Sequence, residues 1–210
     1  MSKIDPYHLK GRWESWKARN MNGIEGLSKT NSRIILDFLT DMEMGRNISP
    51  RTKKGARSAI RLHTLKQKVI FIVKYLNKPI PKLTEKEITG FFNGLHSGKI
   101  LKANGQPYLD VGDYVKDFKS FWSWMLRTRR AKQDTTVFLS RSTSLKPAWV
   151  YLEENQMFDF IAQAPKDIQP LLLLFYDAGF RVTEACSIRV CDFQDDFMKL
   201  NIPNEVSKTF

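Results

Sequence analysis

The feature that most constrains the fold is a long apolar pattern with helical spacing in the first half of the chain. Its apolar residues recur three or four positions apart, as the buried face of one α-helix requires. These residues are Ala59, Leu62, Leu65, Val69, Ile72 and Leu76. Asn77 and the proline-containing stretch after it end the pattern, because proline cannot continue a helix. We therefore predict one long amphipathic helix, which needs partner elements to cover its apolar face.

Helical patterns also precede and follow this segment. After the cap-like pair Asn31–Ser32, apolar residues keep helical spacing through 34–42, and Gly45 closes the segment. Residues 84–87 match a capping box, which predicts a short helix after them. A fourth pattern runs through residues 111–126. Because four antiparallel helices can form a compact bundle, the predicted fold class is mainly α.

The fourth pattern is rich in aromatic residues. Phe118, Phe121 and Trp122 recur at helical spacing, which favours core packing over base stacking. Trp124 lies off this apolar stripe, so we place it at an interface.

The last third of the chain predicts smaller elements of mixed type. Residues 157–161 indicate a helix, and residues 168–176 indicate another that is apolar on nearly every side. Such a helix is expected to be buried and central. A short helix is predicted from Thr183 to Ile188, and the alternation in residues 197–202 predicts a strand. Pro203–Asn204 is typical of a hairpin turn after that strand.

These patterns divide the chain into three parts. Residues 1–30 have weak periodicity and are predicted to be an N-terminal extension that can be partly helical, with Trp13 and Trp16 as its only large apolar anchors. Residues 31–142 form the predicted helical domain, and residues 143–210 form the second domain. The linker between them lies at about 129–147, where a basic, polar stretch lacks a clear period.

Charge follows the same division. The formal net charge is +12, and residues 46–82 contain eleven Lys or Arg and no Asp or Glu. Residues 153–196 contain nine acidic and three basic residues. A polyanion gains affinity from each phosphate that is neutralised, so the basic part is expected to bind nucleic acid.

Two groups of cations are candidate DNA contacts. The first group lies along and before the long helix with no acidic residue between its members, and consists of Lys53, Lys54, Arg57, Arg61 and Lys68. The second group surrounds the linker, and consists of Arg127, Arg129, Arg130 and Arg141. The alternatives are a solvated helix face for the first group and a basic tether for the second.

Other features limit the class of protein. No run approaches the roughly 18 apolar residues of a membrane span, and the N-terminus lacks the apolar core of a secretory signal. We therefore expect a soluble, cytoplasmic, DNA-associated protein. The only two cysteines, Cys186 and Cys191, have neither the spacing nor the histidines of a zinc site, so we predict packed thiols and no metal.

Residues 171–193, LLLLFYDAGFRVTEACSIRVCDF, resemble the first catalytic-domain motif of the tyrosine recombinases, the phage-type integrase family. In that motif an apolar helix runs into a turn with the order small-Gly-apolar-Arg-x-x-Glu, and Leu or Ile and then Asp follow. Those positions are held here by Ala178, Gly179, Phe180, Arg181, Glu184, Ile188 and Asp192. Residues 31–128 are similar to the family's SAM-like core-binding domain of four to five helices. The resemblance implies that this domain precedes the N-terminal part of a mixed α/β catalytic domain.

The resemblance also implies roles for three residues. Arg181 would bind the scissile phosphate, Glu184 would orient Arg181, and Lys208 on a hairpin would protonate the departing 5′ oxygen. A guanidinium offers a planar fork to two phosphate oxygens, and a lysine can deliver a proton. The family exchanges strands of duplex DNA, often in mobile genetic elements, through a 3′-phosphotyrosyl intermediate. It needs no metal or other cofactor, and its members associate as dimers or tetramers on DNA.

The sequence lacks two parts of the family's active site. It contains no HxxR box, and all six tyrosines precede Arg181, so the nucleophile is missing. We therefore expect these 210 residues alone to be an inactive fragment of a strand-exchange enzyme. The first alternative is a non-catalytic DNA-binding regulator with the recombinase fold. The second is a basic helical RNA-binding protein, which would leave the motif at 171–193 without an explanation.

Overall fold

The structure is a computed structural model that describes residues 8–48, 55–140, 150–196 and 198–202. The chain divides into two compact units. Leu9–Lys146 form one of them, which we call the helical unit, and Pro147–Phe210 belong to the other, which we call the C-terminal unit. The described residues are mainly helical, as predicted.

The helical unit is built around one long helix. Its helices are α1 (Leu9–Asn20), α2 (Lys29–Met44), α3 (Ala59–Leu76), α4 (Glu85–His96) and α5 (Val111–Arg127), with a 3-10 turn at Ile80–Lys82. Helix α3 packs against α1, α2, α4 and α5. It has the predicted bounds, and Asn77 ends it in the left-handed conformation with φ of 46°. The prediction of one long amphipathic helix is therefore confirmed, and the structure adds that this helix is central to the unit.

Helix α2 begins earlier than predicted. The capping residue is Ser28, whose hydroxyl accepts a hydrogen bond from the Asn31 N–H at 3.2 Å. Asn31 and Ser32 are buried inside the helix, so the predicted cap at this pair is wrong. The Asn31 side chain instead donates to the Lys78 carbonyl at 2.8 Å and accepts from the Ile80 N–H at 2.9 Å. Asparagine is a typical capping residue, but Asn31 instead links α2 by hydrogen bonds to the connection between α3 and α4.

The end of α2 agrees with the sequence. Gly45 ends the helix with φ of 70°, a left-handed conformation that favours glycine. A Cβ atom at Gly45 would lie 2.6 Å from the Ala56 backbone nitrogen, so the chain just before α3 packs directly against this glycine. The Arg57 N–H also donates to the Met42 carbonyl at 2.9 Å. The end of the connection that leads into α3 is therefore attached to the last turn of α2.

Helix α1 lies within the range that the sequence set apart as an extension. Its Trp13 is buried and stacks on Trp16, with 5.4 Å between ring centroids. Ile24, just after the helix, is also buried, and its N–H donates to the Ser32 hydroxyl at 3.0 Å. Residues from Leu9 onward therefore belong to the core of the helical unit. The periodicity of α1 is weak because Trp13 is its only buried residue.

The predicted capping box of α4 is present. The Thr84 hydroxyl accepts from the Glu87 N–H at 3.4 Å, and the Glu87 carboxylate accepts from the Thr84 N–H at 3.0 Å. Lys78 also donates to this carboxylate. The hydrogen bonds from Lys78 and Thr84 lower the pKa of Glu87 to about 2.

Helix α5 supplies aromatic residues to the core, as predicted. Phe118, Phe121 and Trp122 are buried. Trp124 is fully buried as well, so its predicted interface position is wrong. Its indole N–H donates to the Asp41 carboxylate of α2 at 2.9 Å, and a side chain off the main apolar stripe is thereby accommodated between two helices.

The first half of the predicted linker packs on the helical unit. The Trp122 indole N–H donates to the Gln133 carbonyl at 3.1 Å, and Thr136 and Leu139 are buried. The rest of the predicted linker, residues 141–147, lies outside the described residues.

The C-terminal unit contains short elements. They are α6 (Glu154–Gln163), α7 (Gln169–Ala178), α8 (Val182–Ala185), a 3-10 turn (Val190–Asp192), β1 (Phe193–Gln194) and β2 (Lys199–Leu200). The two strands are antiparallel, with Phe193 opposite Leu200. The predicted strand at 197–202 is thus shorter and pairs with residues upstream of it. The predicted turn at Pro203–Asn204 lies outside the described residues.

The prediction that α7 is a core helix is wrong for the described part of this unit. None of its residues is buried, and Leu173 and Tyr176 keep 38% and 39% of their surface exposed. Within the described residues, helices α6 and α8 pack against α7, with Phe158 of α6 edge-on to Tyr176, and every residue of α7 keeps some exposed surface. Cys186 and Cys191 are also exposed, so the prediction of packed thiols is wrong too.

Candidate nucleic-acid interface

The turn between α7 and α8 carries the arginine of the sequence motif. Gly179 ends α7 with φ of 62°, and its left-handed conformation turns the chain away from the helix axis. Arg181 follows two residues later in an extended conformation, at the capping position of α8. The sequence order Gly-x-Arg therefore places Arg181 at the start of a new helical turn, outside the apolar surface of α7.

Glu184 holds Arg181 at two points. Its carboxylate accepts from the Arg181 backbone N–H at 2.8 Å and from the Arg181 Nη1 at 2.9 Å. Glu184 is buried, whereas the Arg181 side chain remains 54% exposed. Among the described residues, the Nε and Nη2 of Arg181 have no hydrogen-bond partner. One edge of the guanidinium is thus fixed to the protein, and another is open to two oxygens of an anion.

Arg189 repeats the same spacing with a different result. Its backbone N–H donates to the Asp192 carboxylate at 2.8 Å, as in the first pair. Its Nε and Nη2, however, both donate to Asp192, at 3.2 and 3.0 Å. These bonds lower the pKa of Asp192, and the side-chain bond from Arg189 is the largest cause. The fork that is open in Arg181 is therefore occupied in Arg189. Sequence reasoning missed this second pair, although the repeat Arg-Val-x-acid is visible at 181–184 and 189–192.

The predicted stripe on α3 has an acidic partner. Asp117 of α5 is 1% exposed and forms ion pairs with both Arg61 and Lys68, the latter with 3.1 Å between Nζ and Oδ2. The Lys68 Nζ also lies 5.0 Å from the centroid of the Tyr114 ring. Arg61 and Lys68 thus neutralise a buried carboxylate, which reduces the charge that they can offer to a phosphate.

Among the other members of that stripe, the structure describes only Arg57. Arg57 is partly exposed just before α3. Lys53 and Lys54 lie outside the described residues.

The cations after α5 have individual partners. Arg127 is exposed, and it donates from Nε to the Asn47 carbonyl at 2.8 Å and from Nη1 to the Ser123 hydroxyl at 2.7 Å. Arg130 pairs with Asp37 at 2.8 Å and lies over the Trp124 ring.

Arg129 differs from these two neighbours. It has a left-handed backbone with φ of 57°, its side chain is exposed, and it forms no ion pair within the described ranges. Arg141 and Lys208 fall outside those ranges.

The described residues contain no group of three or more His, Cys, Asp and Glu side chains that could hold a metal ion. No helix in the described segments has both the length and the apolar character needed to cross a membrane.

Comparison with known proteins identifies no relative. No protein-family model matches the chain, and neither the curated proteins nor the solved structures contain a significant match.

Proposed function

We propose that this chain is a DNA-binding part of a tyrosine-recombinase-type protein, in which Arg181 binds a backbone phosphate of duplex DNA. The observation that carries the proposal is the open edge of the Arg181 guanidinium, held in place by the buried Glu184. A planar fork fixed on one side can bind two oxygens of a phosphate without first losing much side-chain freedom.

The geometry also suits the role that the resemblance assigns to Glu184. The carboxylate is bonded to both the backbone and the side chain of Arg181, so it restricts the position and the orientation of the guanidinium. An arginine positioned in this way can stabilise the negative charge that develops on a reacting phosphate. Because the sequence has no HxxR box and no tyrosine after Arg181, we propose phosphate binding, not strand cleavage, as the activity of these 210 residues.

The helical unit would supply most of the non-specific affinity. The chain carries a net charge of +12, and Arg57, Arg127 and Arg129 keep part of their surface exposed. Each phosphate that such residues neutralise releases condensed counterions, which makes the affinity strongly dependent on salt.

The test is DNA binding by the full chain, measured as fluorescence anisotropy of a labelled duplex across a salt series. We expect a slope of log affinity against log salt of about −5 or steeper, since each phosphate contact contributes about −0.9. Arg181→Ala should weaken binding on the order of 10-fold near 0.1 M salt and make the slope less steep by about 0.9. Arg181→Lys keeps the charge but loses the fork, and should lie between the wild type and Arg181→Ala.

Arg189→Ala is the matched control. It removes the same side chain from the same spacing and also leaves a buried carboxylate without its partner, but the guanidinium fork of Arg189 is already occupied. We expect its DNA affinity and salt slope to stay near the wild type. Equal losses in Arg181→Ala and Arg189→Ala would assign Arg181 a structural role only. Binding that is absent or insensitive to salt would overturn the proposal, and tighter binding of a structured RNA competitor would replace DNA as the ligand.

A further inference from the structure

Helix α1 has two faces with opposite electrostatic character. On one face Lys17 is 3.0 Å from Glu14 and 3.0 Å from Glu43 of α2, so its charge is balanced. Arg12 and Arg19 are seven residues apart on a different face, and Trp16 lies between them. Both arginines are exposed, and neither forms an ion pair within the described segments.

Lys66 of α3 completes this second face. Its Nζ lies 4.7 Å from the centroid of the Trp16 ring and 3.3 Å from the Nδ1 of His63. The Nε2 of His63 is 3.2 Å from the Leu9 carbonyl, which can only accept a hydrogen bond. Nε2 must therefore carry the proton, and Nδ1 is left as an acceptor for Lys66. Within the residues that the structure describes, an imidazole and an aromatic ring hold this ammonium, and no carboxylate contacts it.

The three cations on this face repel one another. Burial lowers the pKa of Lys66, and the nearby positive charges of Arg19 and Arg12 lower it further. Within the described part of the chain, no carboxylate pairs with any of the three. We call Arg12, Trp16, Arg19 and Lys66 the α1 cationic face.

We propose that the α1 cationic face binds backbone phosphates of the same duplex DNA. The inference rests on the proposed function and adds a second contact surface, whose cations the sequence did not single out. Seven residues of helix advance by about 10 Å, which is longer than the axial rise of about 3.4 Å per phosphate on one DNA strand. Two arginines at this separation can therefore contact different phosphates, and each phosphate bound reduces the repulsion around Lys66.

Repulsion in the free protein gives the proposal a distinctive signature. Removing cations from the face should raise the melting temperature of the free protein at low salt, because like charges no longer repel. The same change should weaken DNA binding. If Arg12 and Arg19 instead stabilised the fold, their removal would lower the melting temperature. The direction of the change in melting temperature therefore distinguishes a binding role from a structural one.

The experiment compares two double variants of the full chain. The test variant is Arg12→Gln with Arg19→Gln, and the control is Lys82→Gln with Lys99→Gln, which removes two exposed positive charges outside α1. Binding is measured by anisotropy of a labelled duplex across a salt series, and melting is followed by circular dichroism at low salt. We expect the test variant to lose on the order of 10- to 100-fold in affinity near 0.1 M salt, with a slope less steep by about 1.8. The control should lose less than about 3-fold.

Each alternative result has a defined meaning. If the wild type binds DNA, Arg181→Ala weakens it, and the test and control variants behave alike, the α1 cationic face is not a DNA contact and the proposed function stands. If the wild type does not bind duplex DNA, the proposed function fails and this inference fails with it. Binding of polyglutamate at least as tight as that of DNA, lost in the test variant, would assign the face to an acidic protein and overturn the inference.

Discussion

The helical unit and the C-terminal unit are ordered by different means. In the helical unit every helix contributes a buried apolar residue, and Phe38, Val69, Ile72 and Phe118 have no exposed surface. In the described part of the C-terminal unit only Ile161 and Ala185 are buried apolar residues. Burial of apolar surface therefore stabilises the first unit, whereas capping and ion pairs between near neighbours order much of the second.

Buried polar groups show the same contrast. Asn31 and Asp117 of the helical unit bond to residues 49 and 56 positions away, on other elements. In the C-terminal unit Glu184 and Asp192 each bond to an arginine three positions earlier. Loss of a long-range bond should therefore disturb a whole unit, and loss of a local one should disturb a single turn.

The largest expected effect is a cavity in the helical core. Phe38 contacts the rings of Phe121 and Trp124, with centroids 5.1 and 5.4 Å away. Phe38→Ala should lower the free energy of unfolding by about 3–5 kcal/mol, measured by urea denaturation followed by circular dichroism. Leu173→Ala, in the exposed helix α7, should cost less than about 1 kcal/mol. Equal costs would show that α7 is covered in solution, and the contrast between the units would fail.

A smaller effect is expected from the buried carboxylate between α3 and α5. Asp117→Ala leaves Arg61 and Lys68 without their shared partner, and both cations keep some access to water. We expect a loss of about 1–3 kcal/mol in the free energy of unfolding. The control is Asp37→Ala, which removes a more exposed partner from Arg130 and should cost no more than about 1 kcal/mol. A cost for Asp117 as small as that for Asp37 would mean that the long-range bond contributes little.

The smallest expected effect is a response to acid at the capping box of α4. The pKa of Glu87 is about 2 in the folded protein, below its ordinary value of 4.5. A lowered pKa means that the ionised group stabilises the fold above about pH 4.5, and that this stabilisation is lost as the pH falls toward 2. Glu87→Gln should therefore melt below the wild type at pH 6, and the gap should narrow steadily as the pH falls from about 4.5 toward 2. A gap that stays constant with pH would exclude the ion pair as its cause.

Asp192 offers a comparison within the same titration. Its pKa is also lowered, by Arg189, but the pair lies within one turn of the C-terminal unit. Asp192→Asn should leave the melting of the helical unit unchanged at every pH between 2.5 and 6, if the two units are ordered as described. Coupled melting of both units in this variant would contradict that separation.

The sequence predicts helices better than it predicts burial. Apolar spacing and capping residues are local signals, so α3, α4 and α5 could be located from them. Whether an apolar helix is buried depends on what covers it, and the composition of α7 could not supply that information. The start of α2 was missed for a similar reason, because Ser28 and Asn31 are both suitable caps and only the bonds from Asn31 to Lys78 and Ile80 decide between them.

Prediction of the candidate site had the same limits. The absence of acidic residues near Arg61 and Lys68 in sequence suggested a free cationic stripe, but Asp117 reaches both from another helix. The Arg181–Glu184 spacing was visible locally. The difference between Arg181 and Arg189 was not, because the spacing alone does not determine which guanidinium nitrogens the carboxylate meets.

The buried tryptophans give this protein internal spectroscopic probes. The indole N–H groups of Trp13, Trp122 and Trp124 donate to Glu43, to the Gln133 carbonyl and to Asp41. These bonds lie at three junctions: α1 with α2, α5 with the segment after it, and α2 with α5. Indole protons resonate apart from backbone amides in a ¹H–¹⁵N spectrum, so three signals would report separately on which junction opens first on heating or shifts when DNA is added.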